Sequence, residues 1–491
     1  MSVRCWAAVI LVSVAAMAAG TGGAVRAESL QEALASAYLF NPTLKAARAG
    51  LRATDEEVPR ARSGFRPTIT SQAVHSYQDI QTSGGGGGGD TYPRSYSVTL
   101  NQPIFQGFRT INAVKGAEAL VEAGREDLRA SEQQVLLSAV TFYVNVVRDV
   151  AILGLQENNL RVLNEQLRAA LDRFNVGEVT KTDVAQARAS VSGASSAISQ
   201  AKANLQASRA NYAQLIGNPP GTLHDPGPFR RQPKTLDESL QIGEGENPNI
   251  LAGIFRERAE DHVVKQTEGE LLPSVNLQAS YSRNFDSQGT VGNNHQDVTT
   301  VTGVVTVPIY QAGEVSARIR QNIETRSQLR HQIDEAREAT RANVISAWGV
   351  FVSAKAQITS NQAQVDANTV ALTGVKEEEK VGQRTVLDVL NAEQTLLNSQ
   401  VALVTSHRDL VVASYALLAA IGRLSAGAIG LGVEQYDPTQ HYRDVKNQWI
   451  GWSTSVEESE AEPVVAPVTA PGRKPDQPRG DGPAYIDGWP W

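Results

Sequence analysis

The chain has 491 residues, 41% of them hydrophobic, with 45 basic against 52 acidic side chains and a formal net charge of −7. An acidic chain without a basic stripe is a poor partner for nucleic acid, so we expect no nucleic-acid binding. The only cysteine, Cys5, excludes an internal disulfide and a site built from several thiolates.

The first 27 residues have the features of a secretory signal peptide. Arg4 gives a positive start, residues 7–19 are apolar, and residues 24–27 read Ala-Val-Arg-Ala, as at a cleavage site. The apolar run is shorter than the ~20 residues of a spanning helix, which disfavours a membrane anchor. Removal of residues 1–27 would leave a net charge of −9. We find no later apolar stretch of the length of a spanning helix, so any membrane insertion should use strands.

One sequence pattern occurs twice, about 205 residues apart. Asn41-Pro42 recurs as Asn247-Pro248, and Pro-Ile-Phe-Gln at 103–106 recurs as Pro-Ile-Tyr-Gln at 308–311. This period is far longer than the ~20–50 residues of solenoid repeats. It predicts two copies of one unit, residues 28–235 and 236–443, each with a helix, two strands, a long helix and a return helix.

Two long stretches favour helices because they lack proline and are rich in good helix formers. They lie between Pro103 and Pro219 and between Pro308 and Pro438. Each breaks once at a Val-Gly pair, where glycine suits a helix end. The predicted helices are 42–63, 109–174, 181–216, 249–270, 313–378 and 384–421. The longest would span ~100 Å, and the 42–63 helix stacked end to end on 181–216 would give a partner of similar length.

Four segments alternate polar and apolar residues and are predicted as strands: 66–80, 93–104, 273–286 and 297–309. Strands of ~10–12 residues with one polar face match the transmembrane β-barrel pattern, although ordinary exposed hairpins are an alternative. Four strands cannot close a barrel, since the smallest outer-membrane examples use eight. Open strand edges cannot lie in lipid. Several chains should therefore share one barrel, and their helices should extend it into an oligomeric tube.

The last 48 residues, 444–491, have a different composition. Prolines at 463, 467, 471, 475, 478 and 483 separate acidic residues, glycine and alanine, and no apolar period is left. Such a segment buries too little apolar surface to offset its ordering entropy, so the sequence predicts a disordered tail. A tail that binds a partner or contacts the cell wall is the alternative.

With these motifs the chain resembles the TolC-type outer-membrane efflux proteins over roughly residues 28–430. The resemblance rests on two strand-to-helix junctions and two helix turns, which are Gln102-Pro-Ile-Phe-Gln-Gly-Phe, Val307-Pro-Ile-Tyr-Gln-Ala-Gly, Phe174-Asn-Val-Gly-Glu-Val-Thr-Lys-Thr-Asp-Val and Lys380-Val-Gly-Gln-Arg-Thr-Val-Leu-Asp-Val-Leu. It implies an α+β membrane protein, internally duplicated. A homotrimer with four strands per chain would form a transmembrane β-barrel continuous with a long antiparallel α-helical barrel.

The resemblance also implies a function and partners. The protein would be the outer-membrane exit duct of a tripartite efflux or type I secretion system, in contact with outer-membrane lipid. It would pass drugs or polypeptides from an inner-membrane transporter and a periplasmic adaptor protein to the exterior, gated at its periplasmic helix tips. A periplasmic coiled-coil adaptor or scaffold with exposed hairpins is the alternative, and it would be soluble.

By the same resemblance, the periplasmic gate lies in the two turn motifs. Thr182 and Asp183 match the acceptor side of links between helices, and Arg384 matches the donor. Glu379 stands where the family often has an aromatic link residue. An Arg–carboxylate pair is charge-assisted and suits a reversible latch. An exposed pair that contributes almost nothing is the alternative.

The resemblance assigns two further sets of residues. Asp388 matches an aspartate of the constriction ring, where carboxylates bind cations, and Asn391 replaces the family's second aspartate on the same helical face. Asp388 could instead simply cap a helix. The adaptor-docking sites match Val176, Gly177, Val381 and Gly382, whose glycines could also serve only the turn.

Catalytic motifs are not evident in the sequence. The histidines are scattered, without the i, i+4 pairing of a zinc helix or a glycine-flanked nucleophile. The glycine run at 84–89 is not followed by the Lys-Ser/Thr of a phosphate loop. An enzyme with a helical insert is therefore disfavoured, and we expect no catalytic residue, cofactor or metal.

Overall fold

A computed structural model describes residues 29–81, 89–285 and 295–452. The predicted signal peptide, most of the predicted tail and most of the two glycine-containing loops between strands lie outside these residues. Of the described residues, those up to Trp449 belong to one compact unit. Residues 450–452 belong to a second unit and have neither helix nor strand.

The first unit contains ten α-helices and six β-strands within the described ranges. The helices are α1 (Leu30–Phe40), α2 (Pro42–Asp55), α3 (Glu57–Arg62), α4 (Arg109–Asn175), α5 (Lys181–Ile216), α6 (Leu236–Glu246), α7 (Pro248–Glu268), α8 (Glu314–Lys380), α9 (Val386–Ala420) and α10 (Gln440–Val445). The strands are β1 (Thr68–His75), β2 (Gln78–Ile80), β3 (Gly89–Thr91), β4 (Arg94–Gln106), β5 (Ser274–Phe285) and β6 (His295–Thr306). Single turns of 3-10 helix follow α3 and α7.

The long helices follow the sequence prediction closely. Helices α4 and α8 have 67 residues each, which gives ~100 Å at the α-helical rise. The predicted helix 42–63 is divided at Glu56 into α2 and α3. Pro59 explains the division, because its ring clashes with the carbonyl four residues earlier and it offers no N–H. That carbonyl belongs to Asp55, where α2 ends.

Two helices were not predicted, α1 and α6, each 11 residues long. They occupy equivalent places in the two repeats, directly before Asn41-Pro42 and Asn247-Pro248. The start of α1 carries a capping box, in which Ser29 and Glu32 each accept the backbone N–H of the other. This signal is local and was readable in the sequence.

Four strands form one antiparallel sheet in the order β1-β4-β5-β6. Thr68 lies opposite Asn101 in the first pair, and Ser274 opposite Thr306 in the last. Pro103 stands at an irregularity between β4 and β5, where the missing N–H of proline is tolerated. Strands β2 and β3 form a separate two-stranded ribbon. The predicted segment 66–80 therefore belongs to two strands rather than one.

The helices follow the same order as the strands. Helix α4 packs against α5 and α2 and also against α7 and α9, whereas α8 packs mainly against α9 and α7. Helix α4 is thus a central element and α8 an edge element of the chain. Nineteen residues of α4 are buried but only six of α8, although the two helices have equal lengths.

The predicted end-to-end contact between short and return helices is present in both repeats. The Asn41 amide, at the start of α2, donates to the Leu215 carbonyl of α5 at 3.0 Å. Asn247, at the start of α7, donates to the Ala420 carbonyl of α9 at 3.1 Å. Each hairpin therefore has one continuous helix and one partner assembled from two helices.

The predicted beginning of the disordered tail, at residue 444, is wrong. Residue 444 lies within α10, and the chain after it contacts the end of α3 and the residues that follow α3. Arg62 donates to the Lys446 carbonyl at 3.2 Å and to Asn447 Oδ1 at 2.7 Å, and Arg66 donates to the Gln448 carbonyl at 2.7 Å. The low apolar content of this segment concealed polar contacts made at long sequence distance.

The expectation of no apolar helix long enough to span a membrane also needs correction. Helices α4 and α9 each contain an 18-residue window that is apolar enough by composition. Within the chain, 44% of the α4 window and 39% of the α9 window are buried. Both helices pack against several other helices of the chain. An apolar helix of this length is also found where a helix is buried against its neighbours in a protein.

The junction between β4 and α4 gives a first prediction. Gly107 has φ +59°, and a Cβ there would overlap the Gly269 carbonyl. Gly107→Ala should therefore lower the free energy of unfolding by more than the roughly 1–2 kcal/mol that a left-handed backbone costs alone. Gly154→Ala, at an exposed site within α4, should instead stabilise by roughly 0.5–1 kcal/mol. Thermal unfolding followed by circular dichroism measures both, and equal shifts in Tm would contradict the close packing at Gly107.

Candidate functional site at the helix turns

The two long hairpins turn in the same way. Gly177 has φ +84° and donates its N–H to the Phe174 carbonyl at 3.0 Å. Gly382 has φ +75° and donates to the Glu379 carbonyl at the same distance, 3.0 Å. A left-handed residue closing the end of a helix is the position that glycine fills without strain. The glycines are therefore required by the turns, whatever else they do.

The return helices begin with matching capping boxes. Thr180 donates its N–H and hydroxyl to the Asp183 carboxylate at 2.8 and 2.7 Å, and accepts the Asp183 N–H at 3.3 Å. Thr385 and Asp388 make the same three bonds, at 3.0, 2.9 and 3.2 Å. The capping alternative for Asp388 is thus realised in the chain, and Asp183 has the same role.

These bonds lower the pKa of both aspartates below their ordinary value of 3.8. The cause at Asp183 is first the Thr180 hydroxyl and then its N–H, and at Asp388 first the Thr385 N–H and then its hydroxyl. A lowered pKa means that the stabilisation is present above pH 3.8 and is lost as the pH falls through the folded-state value. Both side chains are therefore anionic at neutral pH.

Arg384 pairs within its own hairpin. Its Nε donates to Glu378 at 2.8 Å, and both side chains are about half exposed. This hydrogen bond raises the pKa of the Arg384 guanidinium. Within one chain the structure does not bring Arg384 to Asp183, and Thr182 is exposed. A link of Arg384 to these residues in a neighbouring copy stays a prediction.

An ion pair that was not predicted joins the two hairpins. Arg173, in the last turn of α4, donates to Glu379, in the last turn of α8. The Glu379 side chain is only 14% exposed, so the pair is better shielded from solvent than most ion pairs at a surface. Glu379, at the position where the resemblance predicts an aromatic link residue, links the two helices by charge instead. Arg173 and Glu379 stand just before the two turns, so a comparison of the charges at these places would have shown their opposite signs.

A second ion pair lies deeper, within the second hairpin. Lys376 of α8 lies 2.5 Å from the carboxylate of Glu393 in α9. Glu393 is buried, and a buried charge left without its partner is costly. This pair therefore holds α8 and α9 together close to their turn, and it too was not predicted.

Asn391 lines a groove between the hairpins. The groove has a volume of about 450 Å³ and is bordered by α4, α5 and α9, with Gln186, Ser190 and Gln394 among its polar residues. Asp388, three positions before Asn391, is held in the capping box. The single chain thus places the two predicted constriction residues in different local settings, and a shared pore ring stays a prediction.

The predicted docking residues are accessible. Val176 is 71% exposed and Val381 70%, and each precedes the glycine of its turn. Single exposed apolar side chains are common on protein surfaces, so adaptor docking at these two residues stays a prediction. In the described ranges, no three His, Cys, Asp or Glu side chains are grouped as a metal site would need. The turns therefore offer reversible ionic links and exposed contacts.

Comparisons with known proteins agree with this architecture. A family model described as "Outer membrane efflux protein" matches residues 30–218 and 240–423. The outer membrane efflux protein BepC of Brucella suis is 41% identical over 452 residues, covering 90% of this chain and 97% of that protein. The outer membrane protein TolC of Escherichia coli is 25% identical over 417 residues, covering 82% and 83%. The Campylobacter jejuni CmeC channel has a TM-score of 0.73 at 16% identity, covering 85% and 89%, and supports the fold alone.

The capping boxes give a second prediction. Thr385→Val removes the hydroxyl that both donates to and accepts from Asp388, whereas Thr385→Ser retains it. The amides at the start of α9 should exchange with deuterium about fivefold faster in the valine variant, the effect of losing one helix cap. Exchange at the start of α5 provides an internal reference. Equal exchange in the valine and serine variants would show that the box does not hold the helix start.

Proposed function

The chain belongs to the outer membrane efflux protein family, as an outer-membrane channel that extends into the periplasm and not an enzyme, and we propose that three copies form its duct. Family membership overturns the alternative of a periplasmic adaptor or scaffold. The proposal concerns how the duct is assembled, what holds it closed and which proteins feed it. Its main support is the sheet β1-β4-β5-β6, in which one edge of β1 and one edge of β6 have no partner strand among the described residues.

Unpaired strand edges give the assembly its closing contact. Lipid offers no hydrogen bonds to free N–H and C=O groups, so β6 of one copy must pair with β1 of the next until the ring closes. Two copies would supply eight strands and three would supply twelve. An eight-stranded barrel is filled by its own side chains. A duct therefore favours three copies, in agreement with the resemblance to the TolC-type trimer.

The helix tips are proposed as the gate. Arg173 and Glu379 connect the last turns of α4 and α8, so the two hairpins cannot separate at their tips without breaking this pair. Arg384, held by Glu378 within its chain, is proposed to reach Thr182 and Asp183 of a neighbouring copy when the trimer is closed. Charged links suit this purpose, since their strength depends on geometry and they can re-form.

The partners are proposed from the tips. Val176-Gly177 and Val381-Gly382 would receive a periplasmic adaptor, which connects the duct to an inner-membrane transporter. The resting tube performs no chemistry, so the transporter supplies the energy and the duct conducts passively. The cargo is proposed to be drugs or polypeptides, and the name of the Brucella relative supports efflux.

Removal of the inter-hairpin pair tests the gate. Arg173→Ser and Glu379→Gln should each raise single-channel conductance in planar bilayers and sensitise cells to large antibiotics. The double variant should add little to either single one, because all remove one interaction. Arg161→Ser, on the same helix but paired four residues along with Glu165, is the matched control.

The same recordings distinguish the Arg173–Glu379 pair from the proposed contact of Arg384 with a neighbouring copy. An increase in conductance with both Arg384→Ser and Arg173→Ser would support both links. An increase with Arg173→Ser alone would leave Arg384 as a surface residue. Conductance equal to that of the unmodified channel in all these variants would refute a gate at the tips.

Ion selectivity tests the proposed constriction. Asp388→Asn removes the charge but keeps an oxygen that can accept the Thr385 N–H, so the helix cap survives. It should reduce cation preference and block by polyvalent cations, since carboxylate rings bind cations. Asn391→Asp should have the opposite effect. Reversal potentials in asymmetric salt measure both, and unchanged values would place these residues away from the constriction.

A further inference from the structure

Asn41 makes hydrogen bonds to two different helices. Its Oδ1 accepts the N–H groups of Thr43 and Leu44, in the first turn of α2, at 2.9 and 3.3 Å. Its Nδ2 donates to the Leu215 carbonyl, in the last turn of α5, at 3.0 Å. The side chain is 3% exposed. One amide thus serves the beginning of one helix and the end of another.

Asn247 repeats this arrangement 206 positions later. Its Oδ1 accepts the Asn249 N–H at 2.9 Å, and its Nδ2 donates to the Ala420 carbonyl at 3.1 Å. Ala420 is the last residue of α9, and Asn247 is 6% exposed. The geometry therefore occurs twice in one chain, at positions that the duplication makes equivalent.

The physical reason is the pairing of two incomplete helix ends. The first N–H groups of a helix and its last carbonyls have no partner within it, and burying them unpaired is costly. A carboxamide can accept at one end and donate at the other, which a carboxylate cannot. The positive end of one helix dipole also meets the negative end of the next. We call each such contact, Asn41–Leu215 and Asn247–Ala420, a helix splice.

Helices α4 and α8 are unbroken where they lie beside the two helix splices. Tyr143 of α4 belongs to the same buried cluster as Tyr212 and Ile216 at the end of α5, and Val344 of α8 belongs to it with Leu417 of α9. Each hairpin thus consists of one uninterrupted helix and one helix held at its far end by hydrogen bonds and packing. The spliced helix is the one able to change direction without breaking its own backbone bonds.

We propose that the Asn247–Ala420 splice is the pivot of α9, and that Asn247 is a positioning residue for the proposed gate. Helix α9 has 35 residues and extends ~52 Å from the splice, so a rotation of about 5° there displaces its other end by about 4.5 Å. That end carries Asp388 and adjoins the turn with Glu379. The inference rests on the proposed function, because it assumes that the tips open. Asn41 has the equivalent role for α5.

The test uses two variants that damage the splice in different ways. Asn247→Asp keeps an acceptor for the Asn249 N–H but places a second acceptor and a negative charge against the Ala420 carbonyl. Asn247→Ser keeps a good helix cap but is too short to reach Ala420, and it remains informative if the aspartate variant fails to fold. Ile250→Ala, which removes a buried side chain from the first turn of α7, is the control for general destabilisation.

The readout is the distance between helix tips in the assembled full chain. Gln383→Cys adds an exposed labelling site in the second turn, and the only native cysteine, Cys5, lies in the predicted signal peptide. Electron spin resonance between nitroxides on neighbouring copies should give distances longer by about 8 Å in both Asn247 variants, because an outward displacement of ~4.5 Å in every copy of a three-fold ring changes the distance between copies by that displacement times √3. Single-channel conductance should rise with them. Ile250→Ala should lower Tm and leave distance and conductance unchanged.

The outcomes separate the pivot from the gate. Distances that lengthen in Arg173→Ser but not in either Asn247 variant would overturn the pivot and leave the gate standing. Distances that lengthen equally in Ile250→Ala would also overturn it, since any destabilisation would then suffice. No change in any variant, Arg173→Ser included, would refute the gate and the pivot together.

Discussion

The unpaired backbone at the two edges of the sheet is the constraint from which the rest of the architecture follows. Strands β1 and β6 each have one neighbouring strand within the part of the chain that the structure describes, and the lipid around a membrane protein cannot supply the missing hydrogen bonds. The helices next to these strands lie in the same order as the strands. Helix α8 is therefore an edge helix, just as β6 is an edge strand. A sheet with two open edges can be completed by a ring of several copies, which is the assembly proposed above.

The two repeats differ because their places in the wall differ. Helix α4 is covered on both sides and packs through apolar residues such as Leu136 and Val140. Helix α8 lies at an edge and contacts α7 through ion pairs, among them Arg326–Asp261 at 2.6 Å and Arg330–Glu257 at 2.8 Å. The Arg326–Asp261 pair is partly buried, whereas the Arg330 side chain is 61% exposed, and pairs that are open to solvent add little stability. The contact between α7 and α8 is therefore more polar than the apolar packing of α4.

Much of this fold was predictable because its signals are periodic and repeated. The absence of proline defined α4 and α8 to within two residues, and the 206-residue recurrence of Asn-Pro marked both helix splices without revealing them. Each splice depends on one asparagine side chain that donates to a distant backbone carbonyl. The carbonyl lies 174 positions after Asn41 and 173 positions after Asn247. Short-range patterns do not encode contacts at such separations. The same reason explains why the packing of residues 444–449 was missed.

The candidate site was predicted less completely than the fold. The turn residues Gly177 and Gly382 follow from the backbone, and the capping of Asp388 was a stated alternative. The partner of Glu379 was not found, because Arg173 occupies a position in the first repeat that the family resemblance did not mark. Arg384 pairs with Glu378 inside the chain, whereas its predicted partners await a neighbouring copy.

The proposed ring can be seen directly in an image reconstruction of the detergent-extracted protein at a resolution that separates strands. We predict a three-fold particle, about 140 Å long from the lengths of helices and barrel, in which β6 of each copy pairs with β1 of the next. A stable monomer with intact helices, or a ring in which these edges stay apart, would contradict it.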